Sequence, residues 1–414
     1  MPTIRDVRVI ITAPEGINLV VIKVETSEPE LYGVGCATFT QRAKSVKDAV
    51  ESYLKPFVVG KSPDAIGDIW HSAMVSGYWR NGPIMNNALS GLDMALWDIK
   101  GKQAGMPVYQ LLGGKCREGV ALYRHAEGRD PVEIEDRAIS LMEQGFRYVR
   151  CQMGGYGGSL DIDQRTQITT ASHGANASNR SPKNAPNGAY YDPDAYARSV
   201  PAMFDHLRSR LGFNVELIHD IHERLVPIEA MRLANNLEPY RLFYLEDPVA
   251  PEDVAWLEKL RGRTTIPIAM GELFTNPLEW LPLIENRWID FIRCHVSAIG
   301  GITPARKLAT LCEAFGIRTA WHGPGDVSPI GHAANVHLDL CSANFGVQEW
   351  TVITDKLREV FPGAPEVEHG YAYPSDKPGL GVDIDETAAR KYPYVDQLPT
   401  WTLARAVDGT AVRP

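Results

Sequence analysis

Three short apolar stretches, VELIHD, RLFYLED and IPIAMGE, each run into an acid: Asp220, Glu246 and Glu272. The intervals are equal, 246 − 220 = 26 and 272 − 246 = 26. That period is about one strand plus one helix, which sets the acids side by side on successive parallel strand ends. Carboxylates that converge without a cation repel and raise one another's pKa. A hard divalent ion such as Mg²⁺ resolves the conflict, because it prefers oxygen ligands in octahedral geometry. Few folds satisfy such a pattern, and a barrel of parallel strands is the foremost.

The rest of the chain agrees with that frame. Residues 3–40 alternate as three strands, IRDVRVIIT, NLVVIKVET and LYGVGCATF, with turn residues between them, which predicts an antiparallel meander. Helical patterns follow, among them MNNALSGLDMALWDIKGKQAG, whose apolar positions Ala88, Leu89, Leu92, Ala95, Leu96 and Ile99 keep a helical period. From about Val120 strand and helix alternate: GVALYRHA, YVRCQM, VELIHDI, LFYLED, IPIAMGE, DFIRCHV and RTAWHG are the candidate strands. Seven or eight such units favour a closed barrel over an open sheet. The expected organisation is an N-terminal α+β domain over 1–118, a barrel over 119–355 and a C-terminal segment over 356–414 that packs on the first domain. Between Gly154 and Tyr191 runs a Gly-, Ser-, Asn- and Pro-rich connection, which reads as a functional lid over 154–191.

Composition excludes several functions. A net charge of −9 argues against a dedicated nucleic-acid binder, yet local Arg and His residues can hold a small anion. Six scattered cysteines form no CxxC pair and read as reduced thiols of a cytoplasmic protein. The N-terminus lacks the features of a signal peptide, and no stretch approaches about 18 uncharged apolar residues, so no membrane partner is expected.

Other candidates cluster at strand ends. His222 lies two residues beyond Asp220; if the strand continues, both share a face and His222 sits beside the metal, able to exchange a proton near neutral pH. His219 and His222 also suggest an HxxH zinc pair, but on a strand they point to opposite faces. Arg150 and Arg293 end their strands and are natural partners for a substrate carboxylate. His322 and Asp326 lie in HGPGD, where Asp326 also reads as a helix cap; His125 and Glu349 complete the ring. Tyr156, in the glycine-rich start of the long connection, reads either as a base near Arg150 or as an aromatic that covers the substrate.

These residues sit in longer motifs: GLDMALWDIKGKQAGMPVYQLLGG, HDIHERLVPIEA, LEDPVAPE, GELF, IDFIRCHVSAIGGITPARK, WHGPGDVSPIGHAANVHLD, NFGVQEW and KPGLGVDIDE. With them the chain resembles the enolase superfamily, in its mannonate dehydratase subgroup, which includes the D-galactonate dehydratase family. The resemblance spans nearly the whole chain. It implies a (β/α)₇β TIM-like barrel with an α+β capping domain built from both termini, and a homo-oligomer. It also implies Mg²⁺ on Asp220, Glu246 and Glu272, where the metal binds an aldonic acid's carboxylate and stabilises the enediolate left when the C2 proton is removed. Loss of the 3-hydroxyl then gives a 2-keto-3-deoxy acid. In the mannonate enzymes a Tyr–Arg dyad takes the proton and the histidine beside the metal protonates the leaving hydroxyl, roles that fall on Tyr156, Arg150 and His222. For D-gluconate, the C2 epimer, His222 becomes the base. Gln41, His125, His222, Glu272, Arg293, His322, Asp326 and Glu349 are the implied substrate contacts.

The sequence also departs from the family pattern. Arg150-Cys151-Gln152 replaces the Lys-x-Lys base motif of the racemase and cycloisomerase groups, and His295 stands where the racemase-type His–Asp dyad has its aspartate. Equating Tyr156 with the family's loop tyrosine requires a deletion. Thr40-Gln41 replaces an Asn, and Pro324 an Ala. Those changes resemble members with weak or no turnover. The expectation is a low-efficiency hydro-lyase acting on D-gluconate and/or D-mannonate; the alternative is a catalytically weak or inactive relative with a regulatory, ligand-binding role.

Overall fold

The computed structural model describes residues 1–154, 184, 186, 189–396 and 402–414. In chain order its main elements begin with strands β1 (Ile4–Thr12), β2 (Leu19–Thr26) and β3 (Tyr32–Cys36) and helices α1 (Ala43–Ala49), α2 (Ile66–Ser76) and α3 (Pro83–Ala104). Next come β4 (Val120–Gly128), α4 (Pro131–Glu143), β5 (Tyr148–Met153), β6 (Ala189–Tyr191), α5 (Pro193–Leu211), β7 (Glu216–Asp220) and α6 (Pro227–Leu237). They are followed by β8 (Tyr244–Glu246), α7 (Trp256–Arg261), β9 (Ile268–Met270), α8 (Pro277–Glu285), β10 (Phe291–Ile292) and α9 (Ile302–Ala314). The chain ends with β11 (Arg318–Thr319), α10 (Pro329–Cys341), β12 (Gln348–Glu349), α11 (Asp355–Val360), β13 (Glu366–Glu368), β14 (Tyr371–Tyr373) and β15 (Ala404–Ala406). No helix among the described residues is long and apolar enough to cross a membrane.

The chain divides into two compact units. The first holds Met1–Leu122, Gly271–Glu285 and Ile292–Asp396. Its N-terminal strands form the expected antiparallel meander, in the order β1-β2-β3. Alternation is weak in LVVIKVET because most of β2 is buried on both faces. Helix α3 starts at a proline and ends at Gly105, whose φ of 65° is a left-handed stop. It lies so close to β3 that a Cβ on Gly33 or Gly35 would come within 2.0 Å of a helix carbonyl oxygen, that of Ala95 or Gly91. One buried acid of that helix, Asp98, accepts from Val34 N at 3.0 Å, Leu380 N at 2.8 Å and Lys102 Nζ at 2.7 Å. The C-terminal segment is further tied down by Arg8 and Lys23, which both pair with Glu386, and by bonds in both directions between Asn18 and Val395.

The second unit holds Tyr123–Met270, Asn286–Phe291 and Gln397–Pro414. Its parallel strands follow the order β4-β5-β7-β8-β9. Asp130 and Asp192 each precede a proline and cap the helices α4 and α5, accepting from backbone N–H groups of the first turn. Register decides the function of this sheet: His125 pairs with Arg150, Arg150 with Ile218, Asp220 with Glu246, and Glu246 with Ala269. Residues paired in parallel register share a face, so the 26-residue period in the sequence becomes direct adjacency of Asp220 and Glu246. Residues 402–414 belong to this unit, where β15 pairs in parallel with β6.

The close approach of β3 and α3 gives a sharp test. Gly35→Ala forces strand and helix apart and should lower unfolding stability by about 3 kcal/mol, as overpacking does. A urea midpoint equal to that of the unchanged chain would contradict this packing.

Candidate metal centre and active site

The carboxyl groups of Asp220, Glu246 and Asp247 are all buried and offer oxygens within 4.8 Å of one another. Arg150, only 2% exposed, balances part of this charge. Its Nη1 donates to Asp220 Oδ2 at 2.7 Å and lies 4.0 Å from Glu246 Oε1. Its Nη2 donates to Glu127 Oε1 at 3.2 Å and meets His125 Nδ1 at 3.1 Å. Tyr123 donates its hydroxyl hydrogen to Glu246 Oε2 at 3.3 Å. An all-oxygen donor set of buried carboxylates fits a hard divalent cation of the Mg²⁺ type.

His222 reaches this cluster by a different route from the one its sequence position suggests. Strand β7 stops at Asp220, and both His222 and Glu223 adopt left-handed backbone, with φ of 53° and 56°. The turn is held by His222 N donating to Asp220 Oδ1 at 2.7 Å, and it brings His222 Nδ1 within 3.3 Å of Asp220 Oδ2. Strand parity alone would place Asp247 opposite Glu246. Its φ of 36° breaks that parity, and its N–H is anchored on Ala269 O at 2.9 Å. Glu223 lies in the same turn, and burial pushes its carboxyl up to about 7. His219 has no part in the cluster. It is buried against Tyr196 Oη at 2.9 Å and Cys151 O at 3.0 Å, and burial pushes it down to about 4.

A second group lies in the other unit. Arg293, fully buried, donates from Nη2 to Glu349 Oε2 at 3.1 Å and to Glu272 Oε2 at 3.4 Å. Glu349 also accepts from Gly323 N at 2.9 Å. His322 Nε2 is 3.5 Å from Glu272 Oε2, and its Nδ1 is 2.8 Å from Nδ1 of His295. Asp326 is half-buried; burial, with Glu349 nearby, pushes it up to about 6. It does not cap α10, whose first turn is capped by Ser328. Gln41 lies in a helical turn over Thr40–Arg42, and its side chain makes no hydrogen bond among the described residues. Tyr156 and most of the 154–191 connection lie outside the described residues.

Residues 2–113 match the mandelate racemase / muconate lactonizing enzyme N-terminal domain, and residues 133–388 match the enolase C-terminal domain-like family. A D-galactonate dehydratase family member of Salmonella enteritidis is 63% identical, covering 99% of this chain and 98% of the relative. The chain belongs to the enolase superfamily, in its D-galactonate dehydratase family. Its fold class is accordingly a (β/α)₇β barrel with an α+β capping domain, and its reaction class is that of the hydro-lyases. A crystal structure of an enolase from Pantoea ananatis with bound D-gluconate and Mg is 61% identical, covers all of both chains and superposes with a TM-score of 0.94. A further enolase-superfamily structure from Salmonella Typhimurium shares the fold at 23% identity and a TM-score of 0.81.

In this dehydratase family member Arg150 is a counter-charge of the first cluster among the described residues. Arg150→Met leaves Asp220 and Glu246 buried without that guanidinium, which should cost about 3 kcal/mol of stability. Chemical denaturation in chelator reads the loss, and added MgCl₂ should recover part of it. Equal stability of the two proteins in chelator would contradict the electrostatic account.

Proposed function

We propose that this chain is an Mg²⁺-dependent acid-sugar dehydratase that removes the C2 proton of D-gluconate and/or D-mannonate and eliminates the 3-hydroxyl, giving 2-keto-3-deoxy-D-gluconate. One observation carries the reading: a buried, cation-fitting carboxylate cluster beside His222, in a chain whose homologue across its full length is crystallised with D-gluconate and Mg. Asp220, Glu246 and Glu272 would hold the ion, with Asp247 close enough to the first two to join or replace a ligand. Bound there, Mg²⁺ supplies the Lewis acidity that makes a proton next to a carboxylate removable at neutral pH.

The protein's own groups divide the remaining work. His222 is fixed by its left-handed turn and keeps about a fifth of its side chain exposed, so its ring can move a proton at a ligand carbon or oxygen. With D-gluconate it takes the C2 proton. With D-mannonate, the opposite face is served by Tyr156 with Arg150, and His222 gives its proton to the departing hydroxyl, which leaves as water. Arg293, His322 and Glu349 orient the polyol and carboxylate, with Gln41, His125 and Asp326 as further contacts. Domain limits of 1–118, 119–355 and 356–414, a cytoplasmic setting and a homo-oligomeric state belong to the same reading.

Purified protein with MgCl₂, given a panel of aldonic acids, should yield a 2-keto-3-deoxy acid from D-gluconate or D-mannonate. Glu246→Gln should lower that rate by at least about 10²-fold, as loss of a metal-held electrostatic contribution does. Binding of these acids with no product from any of them would overturn the dehydratase reading in favour of a ligand-binding role.

A further inference from the structure

We infer that the β-hairpin over residues 404–412 braces the two loops that carry His222 and Asp247, and that Arg413 at its end is a positioning residue for them. The hairpin is built by its own sequence. Asp408-Gly409 makes the turn, with Gly409 at a φ of 91° and Asp408 Oδ1 accepting from Thr410 N at 2.9 Å. Ala406 N donates to Thr410 O at 2.8 Å, Val412 N donates to Ala404 O at 3.0 Å, and Arg405 Nη1 crosses to Gly409 O at 2.9 Å. One small unit thus offers β15 on its first strand and Arg413 at the end of its second.

The first strand supports the turn after β7. β15 pairs with β6 in the register Ala404–Ala189, Arg405–Tyr190 and Ala406–Tyr191, and is its strand partner among the described residues. Tyr191, buried, donates its hydroxyl hydrogen to the carbonyl oxygen of Arg224, and the Arg224 guanidinium lies 5.3 Å from the centroid of the Tyr191 ring. Arg224 N in turn donates to Ile221 O at 3.2 Å, which closes the turn that holds His222 and Glu223 in left-handed backbone. A strand of three residues does not hold itself in place, so the support that β6 gives this turn depends on the hairpin.

The end of the second strand supports the loop after β8. Arg413 Nη2 donates to Asp253 Oδ2 at 3.2 Å, and its Nη1 is 3.9 Å from Glu252 Oε2. The chain from Asp253 back to Asp247 is stiff. Pro248 and Pro251 fix their φ angles, Val249 and Ala250 are buried, and Asp253 N donates to Ala250 O at 2.9 Å. Asp247 O then accepts from Glu223 N at 2.9 Å, so the two braced loops meet at that hydrogen bond. A displacement of Asp253 therefore reaches the His222–Glu223 turn through a short stiff segment and one backbone contact. Because the hairpin already holds Arg413 near Asp253, little further ordering is needed to make the ion pair. The brace consists of backbone contacts and one ion pair outside the carboxylate cluster. Its bearing on turnover rests on the acid-sugar reading, whereas the brace itself does not.

Hydrogen–deuterium exchange of the full chain in MgCl₂, followed by mass spectrometry, reads the brace directly. Arg413→Asp should speed exchange in the segment 221–225 about fivefold, the upper end of what a half-exposed ion pair contributes, and leave helix α4 unchanged. Adding Asp253→Arg to that variant swaps the two charges and should bring the segment back to within about twofold of the unchanged chain. Unchanged exchange at 221–225 in Arg413→Asp, or a rise shared equally by α4, would overturn the inference, and failure of the swap to restore it would overturn the pairing with Asp253 as the link. In the aldonate assay Arg413→Asp should lower kcat about threefold and keep KM within about twofold, because His222 moves a proton and is displaced with its turn. A raised KM at unchanged kcat would overturn the positioning of His222. If no aldonate is turned over by the unchanged chain, the dehydratase reading fails and the exchange comparison still decides the brace.

Discussion

Two carboxylates buried side by side at the ends of adjacent parallel strands are the constraint on which the second unit depends. Asp220 and Glu246 are paired in register and fully buried. Neither can be charged in that position without compensation. Arg150 provides part of it through a 2.7 Å bond to Asp220, and is itself oriented by Glu127 and His125 on the neighbouring strand. A guanidinium supplies one positive charge to a cluster that, with Asp247, holds three acids. An all-oxygen group of buried carboxylates of this kind fits a divalent cation.

Much of this was legible in the sequence, because strand periodicity is rigid. The 26-residue interval between acids needed only a common strand-plus-helix length to become the Asp220–Glu246 pairing. Arg150 and His125 were legible as neighbours for the same reason, although each lies within its strand, three residues before Met153 and Gly128, and not at its end as the sequence suggests. What escaped lies where periodicity stops. Asp247 and Glu223 gain their positions from left-handed backbone just beyond a strand, which no two-residue alternation predicts. His222 was placed correctly beside Asp220 for a reason that does not hold, since a turn and not a continued strand brings it there.

The first unit illustrates the complementary case. Its meander and long helix follow directly from apolar patterning, but the close approach between them is written in two glycines, Gly33 and Gly35, whose meaning depends on a helix nearly sixty residues away in sequence. The His295–His322 contact is similar. In sequence His295 appears only as the absence of an aspartate, and its contact with the neighbouring ring becomes visible when the two Nδ1 atoms are seen to face each other at 2.8 Å. Family membership fixes the reaction class, and such local contacts set the geometry of the side chains within it.

The most direct test of this account is calorimetric titration of Mg²⁺ into chelator-treated protein. One site per chain is predicted, abolished in Asp220→Asn and weakened in Glu246→Gln. Absence of binding, or binding that Asp220→Asn leaves unchanged, would contradict the metal centre from which the rest of the function follows.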